Sequence, residues 1–324
     1  MTAHAVDQAA ASDLVITERA VAQTKVRHSR FADYEELFKV RVTSMVVLTA
    51  WAGFYLGSMQ SGITSIHWGL LQSLLGITLI SCGASALNQV IERKTDAKMT
   101  RTVRRPVAAG RIGVASGMVL GLACFAGGAL VLAWFTNPVT VMLTLLTGFV
   151  YVAVYTPLKR YTTLATFIGA FPGAMPPLLG WTAARGVIEW PAVALFAILF
   201  VWQFPHFMAI AWLYREDYAK AGIRMLPVVQ PDGWSTACEA LIYAVLMIPV
   251  SVAPFYLHLT GRVYLVAAVL LGLGYLAYTV RFTRITRALS VTESRRYARE
   301  LLRASVIYLP LLLTVMMLNA TGRR

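Results

Sequence analysis

Residues 68–90 read WGLLQSLLGITLISCGASALNQV, and the chain runs on as Ile91-Glu92-Arg93-Lys94-Thr-Asp96-Ala-Lys98-Met-Thr-Arg101-Thr-Val-Arg104-Arg105-Pro106. The first part is an apolar run of about the 20 residues that carry a helix across a bilayer. The second part is densely charged and begins where the apolar run stops. Eight more apolar stretches accompany it, at about 42–60, 113–135, 138–157, 163–182, 191–213, 237–257, 263–280 and 304–320. Nine such stretches predict an all-α integral membrane protein of nine transmembrane helices. Composition agrees, with 58% hydrophobic and 14% charged residues, where soluble domains carry about 25% charged. A water-soluble class is excluded.

The formal net charge is +14, which in a soluble chain would point to nucleic acid. Its distribution argues against that. If the N-terminal tail and the even-numbered loops share one side, that side holds 25 of the 29 Lys and Arg residues, and the other holds only Arg185, Arg262, Arg323 and Arg324. The positive-inside rule then places the N-terminus in the cytoplasm and the C-terminus outside, which fits an odd number of spans. Residues 1–30 are polar, lack an apolar signal-peptide core and include Asp7, Asp13 and Glu18, which argue against a transit peptide. They are expected to be a disordered cytoplasmic tail. A short amphipathic interfacial stretch, Phe31–Lys39, follows, and 31–324 is the membrane domain. Cys82, Cys124 and Cys238 lie in or beside apolar spans without metal-type spacing and read as small membrane residues.

Charges at span ends are costly, need partners and mark sites. Asn88, Glu92 and Asp96 recur every four residues, so they stack along one helical face. A line of oxygen donors suits Mg2+, which takes one or two carboxylates together with substrate phosphate oxygens. The interleaved Arg93, Lys94, Lys98, Arg101, Arg104 and Arg105 would compensate a phosphorylated ligand. A second reading is a loop made basic for topology and laced with i,i+4 ion pairs. Asn88 favours the first, because an amide in register with two acids serves no topological purpose.

A second cluster, Trp212 to Val228, echoes the first. Asp217 precedes Pro227-Val228 by the same ten residues that separate Asp96 from Pro106-Val107. The echo predicts two pseudo-repeated four-helix halves with a site between them and a ninth helix appended. Ala209 and Leu213 stand where Asn88 and Glu92 would correspond, so the second half is expected to supply fewer metal ligands. The Pro172–Trp181 run marks a broken or kinked fifth span, and Pro205 beside His206 an unusual point in the sixth. His206 reads either as a substrate-recognition residue or as a histidine bonded to a freed carbonyl. His67 and His258 read as interfacial, and Trp68 and Trp190 as interface anchors.

The Asn88/Glu92/Asp96 motif resembles the first aspartate-rich motif of the UbiA prenyltransferase superfamily. Six further stretches are similar to its heme O synthase branch: Lys39-Val-Arg41, Arg104 to Arg111, Tyr155 to Thr162, Ile168 to Trp181, Trp202 to Phe207, and Arg215-Glu-Asp217 through Pro227. The resemblance covers roughly 38–320. It departs at Glu92, where many members carry Asp, and at Ala221, where the wider superfamily has a second acid four residues after the counterpart of Asp217. What the resemblance implies is a UbiA-type bundle and Mg2+-dependent transfer of a farnesyl group from farnesyl diphosphate to a vinyl group of protoheme IX. It implies Asn88, Glu92, Asp96 and Asp217 as metal ligands, with Lys159 also catalytic. Lys39, Arg41, Arg93, Arg104, Arg105, Arg160 and Arg215 form the implied diphosphate shell, and His206 meets heme through iron or a propionate. A heme A synthase or oxidase-assembly protein is the implied protein partner. Rival readings are prenylation of an aromatic quinone precursor, and a non-catalytic heme-binding or transport protein.

Overall fold

The computed structural model describes residues 29–62 and 68–322. The expected tail up to residue 28, His67, Arg323 and Arg324 lie outside the described residues. Helix α1 (Arg30–Leu37) starts at Ser29, whose hydroxyl accepts from the Phe31 amide. It occupies the place of the expected interfacial stretch, and Gln89 holds it by donating to the Glu36 and Leu37 carbonyls. Long helices follow: α2 (Val40–Gln60), α3 (Trp68–Asp96), α4 (Val114–Phe135), α5 (Pro138–Leu158), α6 (Ala165–Arg185) and α7 (Trp190–Leu213). After the short α8 (Arg215–Lys220) and α9 (Leu226–Val229) come α10 (Trp234–Tyr256), α11 (Arg262–Phe282) and α12 (Val291–Leu318).

Among the described residues, eight of these helices are both long and apolar enough to cross a membrane, one short of the nine expected. The difference is α6. It fills the expected fifth span and has 21 residues, but Pro, Gly and Thr dilute its apolarity. It is also one uninterrupted helix through Pro172, Pro176 and Pro177 rather than a broken one. Neighbouring helices pack tightly against it, and Gln203 of α7 donates to the Ala170 carbonyl.

Close packing of small residues joins the helices, as expected where lipid gives apolar side chains no incentive to associate. Helix α3 lies along α4 through Gly76, Gly83, Gly121 and Gly128. Helix α2 lies along α6, where a Cβ on Gly53 would overlap the Pro177 carbonyl and one on Gly180 the Ala50 carbonyl. Helices α7, α10, α11 and α12 share the larger core, with Leu195, Ile198, Tyr264, Tyr275, Phe282 and Leu312 buried in it. Charged loops meet at one end of the bundle, through contacts such as Thr100–Asp217 and Arg295–Glu216. The other end is closed by Arg185 on Ser61 and by Gln60 on the Thr321 carbonyl.

Gly180→Ala forces α2 and α6 apart and is expected to cost about 1–3 kcal/mol, the usual penalty of overpacking. A Cβ on Gly127 meets nothing within 4 Å, so Gly127→Ala is expected to be neutral or slightly stabilising. Thermal melts of the two variants in the same detergent check the pair.

Candidate functional site

Helix α3 ends in Asn88, Glu92 and Asp96, which are 2%, 3% and 0% exposed. Two carboxylates withdrawn from water cost several kcal/mol each unless they are paired. Three other segments bring the partners. Arg105 Nη1, in the loop after α3, donates to both Asp96 oxygens at 2.9 and 2.8 Å and lies 3.8 Å from Glu92 Oε2. Lys159, one residue past α5, is ion-paired with Glu92 Oε1. Lys39, between α1 and α2, donates to Asn88 Oδ1 at 2.8 Å and to the Tyr151 hydroxyl at 3.1 Å. Lys39 holds φ +47°, a left-handed conformation that a non-glycine residue adopts at a cost and that concentrates at functional sites.

These groups line one cavity of about 130 Å3 with Met99, Arg101, Tyr151, Tyr155, Tyr218, Ile223 and Met225. Four cations (Lys39, Arg101, Arg105 and Lys159) face two carboxylates there, so the cavity has an excess of positive charge. Burial, with Lys39 and Arg160 nearby, pushes the Lys159 ammonium down to about 7, while the Glu92 contact favours its charged form. A larger cavity, about 1440 Å3, opens at the opposite end beside Trp181, Arg185 and His258. The acidic motif is not part of it.

Of the other residues singled out from sequence, Asp217 is not in the cavity lining but is bonded to Arg101, which is. Both its oxygens accept from the Thr100 hydroxyl, at 2.7 and 2.5 Å, and Oδ2 accepts from the Arg101 amide at 3.3 Å. These donors hold its carboxyl below the usual range, the Thr100 hydroxyl foremost. Arg41, Arg93, Arg104, Arg160, Arg215 and His206 lie outside the cavity lining. Arg93 bonds the Val90 carbonyl of its own helix, Arg160 reaches the Thr95 hydroxyl at 3.5 Å, and Arg215 covers the Trp212 ring. His206 lies on α7 against Ser305 of α12.

Tyr151 and Tyr155 join the site although the sequence motifs do not single out the pair. Helix α5 widens to a π-turn over Val150–Tyr155, and the two rings stack with centroids 5.7 Å apart. Such turns are frequent at functional sites. The turn also lets Thr156 bond both the Tyr151 carbonyl and the Asn88 amide. The signal in the sequence is two tyrosines four residues apart immediately before Thr156-Pro157. Arg101, one of the interleaved basic residues expected to compensate a phosphorylated ligand, lies over the rings of Tyr214 and Tyr218.

Among the described residues no three His, Cys, Asp or Glu side chains form a metal site by themselves. Two carboxylates and an amide on one face still fit Mg2+, a cation that leaves much of its coordination to waters and substrate phosphates.

Fold and cavity define a polytopic membrane protein with a cation-rich cavity at one end of its spans. The chain matches the UbiA prenyltransferase family over residues 46–305. Over 293 residues it is 53% identical to a protoheme IX farnesyltransferase of Koribacter versatilis, covering 90% of this chain and 94% of that one. A protoheme IX farnesyltransferase of Solibacter usitatus is 43% identical, with 90% and 99% covered. Among solved structures, a digeranylgeranylglyceryl phosphate synthase shares the fold at TM-score 0.71 and 16% identity, with 89% and 98% covered. A UbiA homolog from Archaeoglobus fulgidus bound to GPP and Mg2+ does so at TM-score 0.57 and 16% identity, with 88% and 99% covered. The chain therefore belongs to the UbiA prenyltransferase family, in the branch whose relatives bear the name protoheme IX farnesyltransferase.

Thr100→Val removes the hydroxyl that both Asp217 oxygens share and is expected to cost about 1–3 kcal/mol. The contribution belongs to ionised Asp217. It is present above the carboxylate's unfolded pKa, near 3.9, and is lost as pH falls through the lower folded value. Melts of wild type and variant should therefore differ at pH 7 and converge as the pH drops below about 4.

Proposed function

We propose that the chain transfers the farnesyl group of farnesyl diphosphate to a vinyl group of protoheme IX, giving heme O and diphosphate. The observation that carries the diphosphate half is the cavity in which four cations face two buried carboxylates. The acceptor is supported by the names of the relatives, at up to 53% identity. In the reaction the allylic C–O bond breaks and its electron pair leaves with diphosphate. Farnesyl C1 then bonds a vinyl carbon, and water captures the resulting cation and loses a proton.

Glu92 and Asp96, with Asn88, are the proposed Mg2+ ligands. When bound, the ion neutralises charge developing on the diphosphate. That a UbiA homolog from A. fulgidus is bound to GPP and Mg2+ supports the use of the ion, and the shared helical face of the three donors supports the choice of residues. Asp217, already engaged by Thr100 and Arg101, is proposed to act on that side through Arg101. Lys39, Arg101, Arg105 and Lys159 are proposed to take the phosphate oxygens, stabilising charge as it develops. Arg41, Arg93, Arg104, Arg160 and Arg215 contribute by long-range attraction, and His206 is assigned to the heme.

The proposed setting is the bacterial inner membrane. The N-terminus and the charged end of the bundle face the cytoplasm, and the C-terminus lies outside, as the lopsided loop charge favours. A heme A synthase or oxidase-assembly protein is the proposed partner.

Purified protein in nanodiscs with Mg2+, farnesyl diphosphate and heme B should yield a farnesylated heme by mass spectrometry, and EDTA should abolish it. Prenylation of a quinone precursor with heme unchanged would overturn the reading. Asp96→Asn is expected to lower turnover about 100-fold or more, the scale of losing one charge-stabilising contact. Arg41→Ala should give only a small, salt-dependent loss. Melting curves run alongside separate a catalytic effect from unfolding.

A further inference from the structure

His206 is an ionisable side chain within α7, and the diphosphate cavity makes no use of it. It sits on α7 one residue after Pro205, half-buried, with its ring stacked on Trp202 at 4.8 Å between centroids and 23° between planes. Its Nδ1 lies 2.8 Å from the Ser305 hydroxyl of α12. That hydroxyl also lies 2.7 Å from the Leu302 carbonyl, which can only accept. A serine hydroxyl has one proton. If Leu302 receives it, the contact to His206 must be completed by a proton on Nδ1. The same residue is tied to α7 a second time, since Trp202 Nε1 donates to the Ser305 carbonyl at 2.9 Å. Tyr275 of α11 donates to the Trp202 carbonyl at 3.2 Å. Three helices therefore set the place of one imidazole, and where the Ser305 proton goes sets its tautomer.

From this geometry we infer that Ser305 is a positioning residue. It fixes His206 as the Nδ1–H tautomer and so keeps Nε2 as an uncommitted lone pair for the iron of the heme acceptor. The inference rests on the proposed heme substrate and deepens it. It follows the general logic of imidazole ligands, in which the partner of one ring nitrogen decides what the other can bind. No partner of Nε2 occurs among the described hydrogen bonds or ion pairs of His206. Ser305 is fully buried, so bulk water does not compete for its hydroxyl. Removing that hydroxyl leaves the Trp202 bond intact, because that bond ends on the Ser305 backbone.

Two measurements test the assignment on the full chain in nanodiscs. In the first, 15N-histidine-labelled protein is compared with His206→Ala to pick out the His206 signals. The wild type should show the Nδ1–H tautomer without any heme present, and Ser305→Ala should lose that preference. An Nε2–H tautomer in the wild type overturns the inference. In the second, heme B is titrated and followed by its Soret band. His206→Ala should abolish the imidazole-ligand signature. Ser305→Ala should weaken heme affinity about tenfold, the lower end of the range for a lost partner of a metal-bound histidine, and Ser305→Thr should restore it. Equal affinity in Ser305→Ala and wild type, or a His206→Ala protein with an unchanged heme spectrum, overturns the inference. If farnesylated heme is still produced in either of those cases, only the role of this pair falls. A wild type that farnesylates no heme sinks the proposed function itself, whatever the tautomer.

Discussion

The pairing of Glu92 and Asp96 with cations is the constraint on which the rest of the charged end depends. Helix α3 has 29 residues, or about 43 Å at 1.5 Å per residue, against a hydrocarbon thickness of about 30 Å. Its last turns can therefore leave the hydrocarbon, yet both carboxylates stay buried within protein. Arg105, Lys159 and Lys39 reach this line of donors from the loop after α3, the end of α5 and the junction before α2. Three stretches far apart in sequence, around residues 39, 88–105 and 159, are thus drawn to one point. Removing one partner of such a pair leaves an uncompensated buried charge, which costs about 3–5 kcal/mol. The stability of this end of the bundle and the positive excess of its cavity come from the same side chains.

The two properties also compete. A ligand with its own negative charge, arriving with a divalent cation, can satisfy both sets of groups at once: the cation takes carboxylates and the anion takes ammonium and guanidinium groups. The internal pairs are then exchanged for equivalent external ones, and no charge is left bare. A cavity with four cations and two carboxylates is suited to that exchange in a way that a fully balanced cluster is not. Lys159 fits the role, since burial beside Lys39 and Arg160 already works against its charge and an arriving anion would relieve that opposition.

Spacing makes the donors legible. Asn88, Glu92 and Asp96 recur at four-residue intervals, which helical geometry alone assigns to one face, and the apolar runs mark the spans. The partners are harder to read, because a loop made basic for topology and a loop made basic for phosphate contain the same residues. Arg93 and Arg105 look alike in sequence; one bonds its own helix and the other spans two carboxylates. Tyr151 and Tyr155 are hidden for the opposite reason, as aromatic residues inside an apolar run look like lipid-facing or core positions. Their role depends on a π-turn that the apolar pattern does not encode. Helix α6 misleads in a third way. Its prolines suggest a break when read alone, but the α2 backbone and Gln203 of α7 pack closely against it, and those neighbours are remote in sequence.

The asymmetry between the halves has a physical reason that the Asp96–Asp217 echo alone does not disclose. In the second half Asp217 is bound to Thr100 and Arg101 of the first-half loop, and the Arg224 amide donates to the Lys159 carbonyl. Four residues after Asp217, Ala221 is buried against Met99 and Ile223. A carboxylate at 221 would have to be withdrawn from water between two apolar side chains, at a cost of several kcal/mol. The apolar clasp and a second acidic pair are therefore alternative ways to fill the same space. This chain has taken the clasp, so the first half holds the buried carboxylate pair and the second half holds the first half's loop in place.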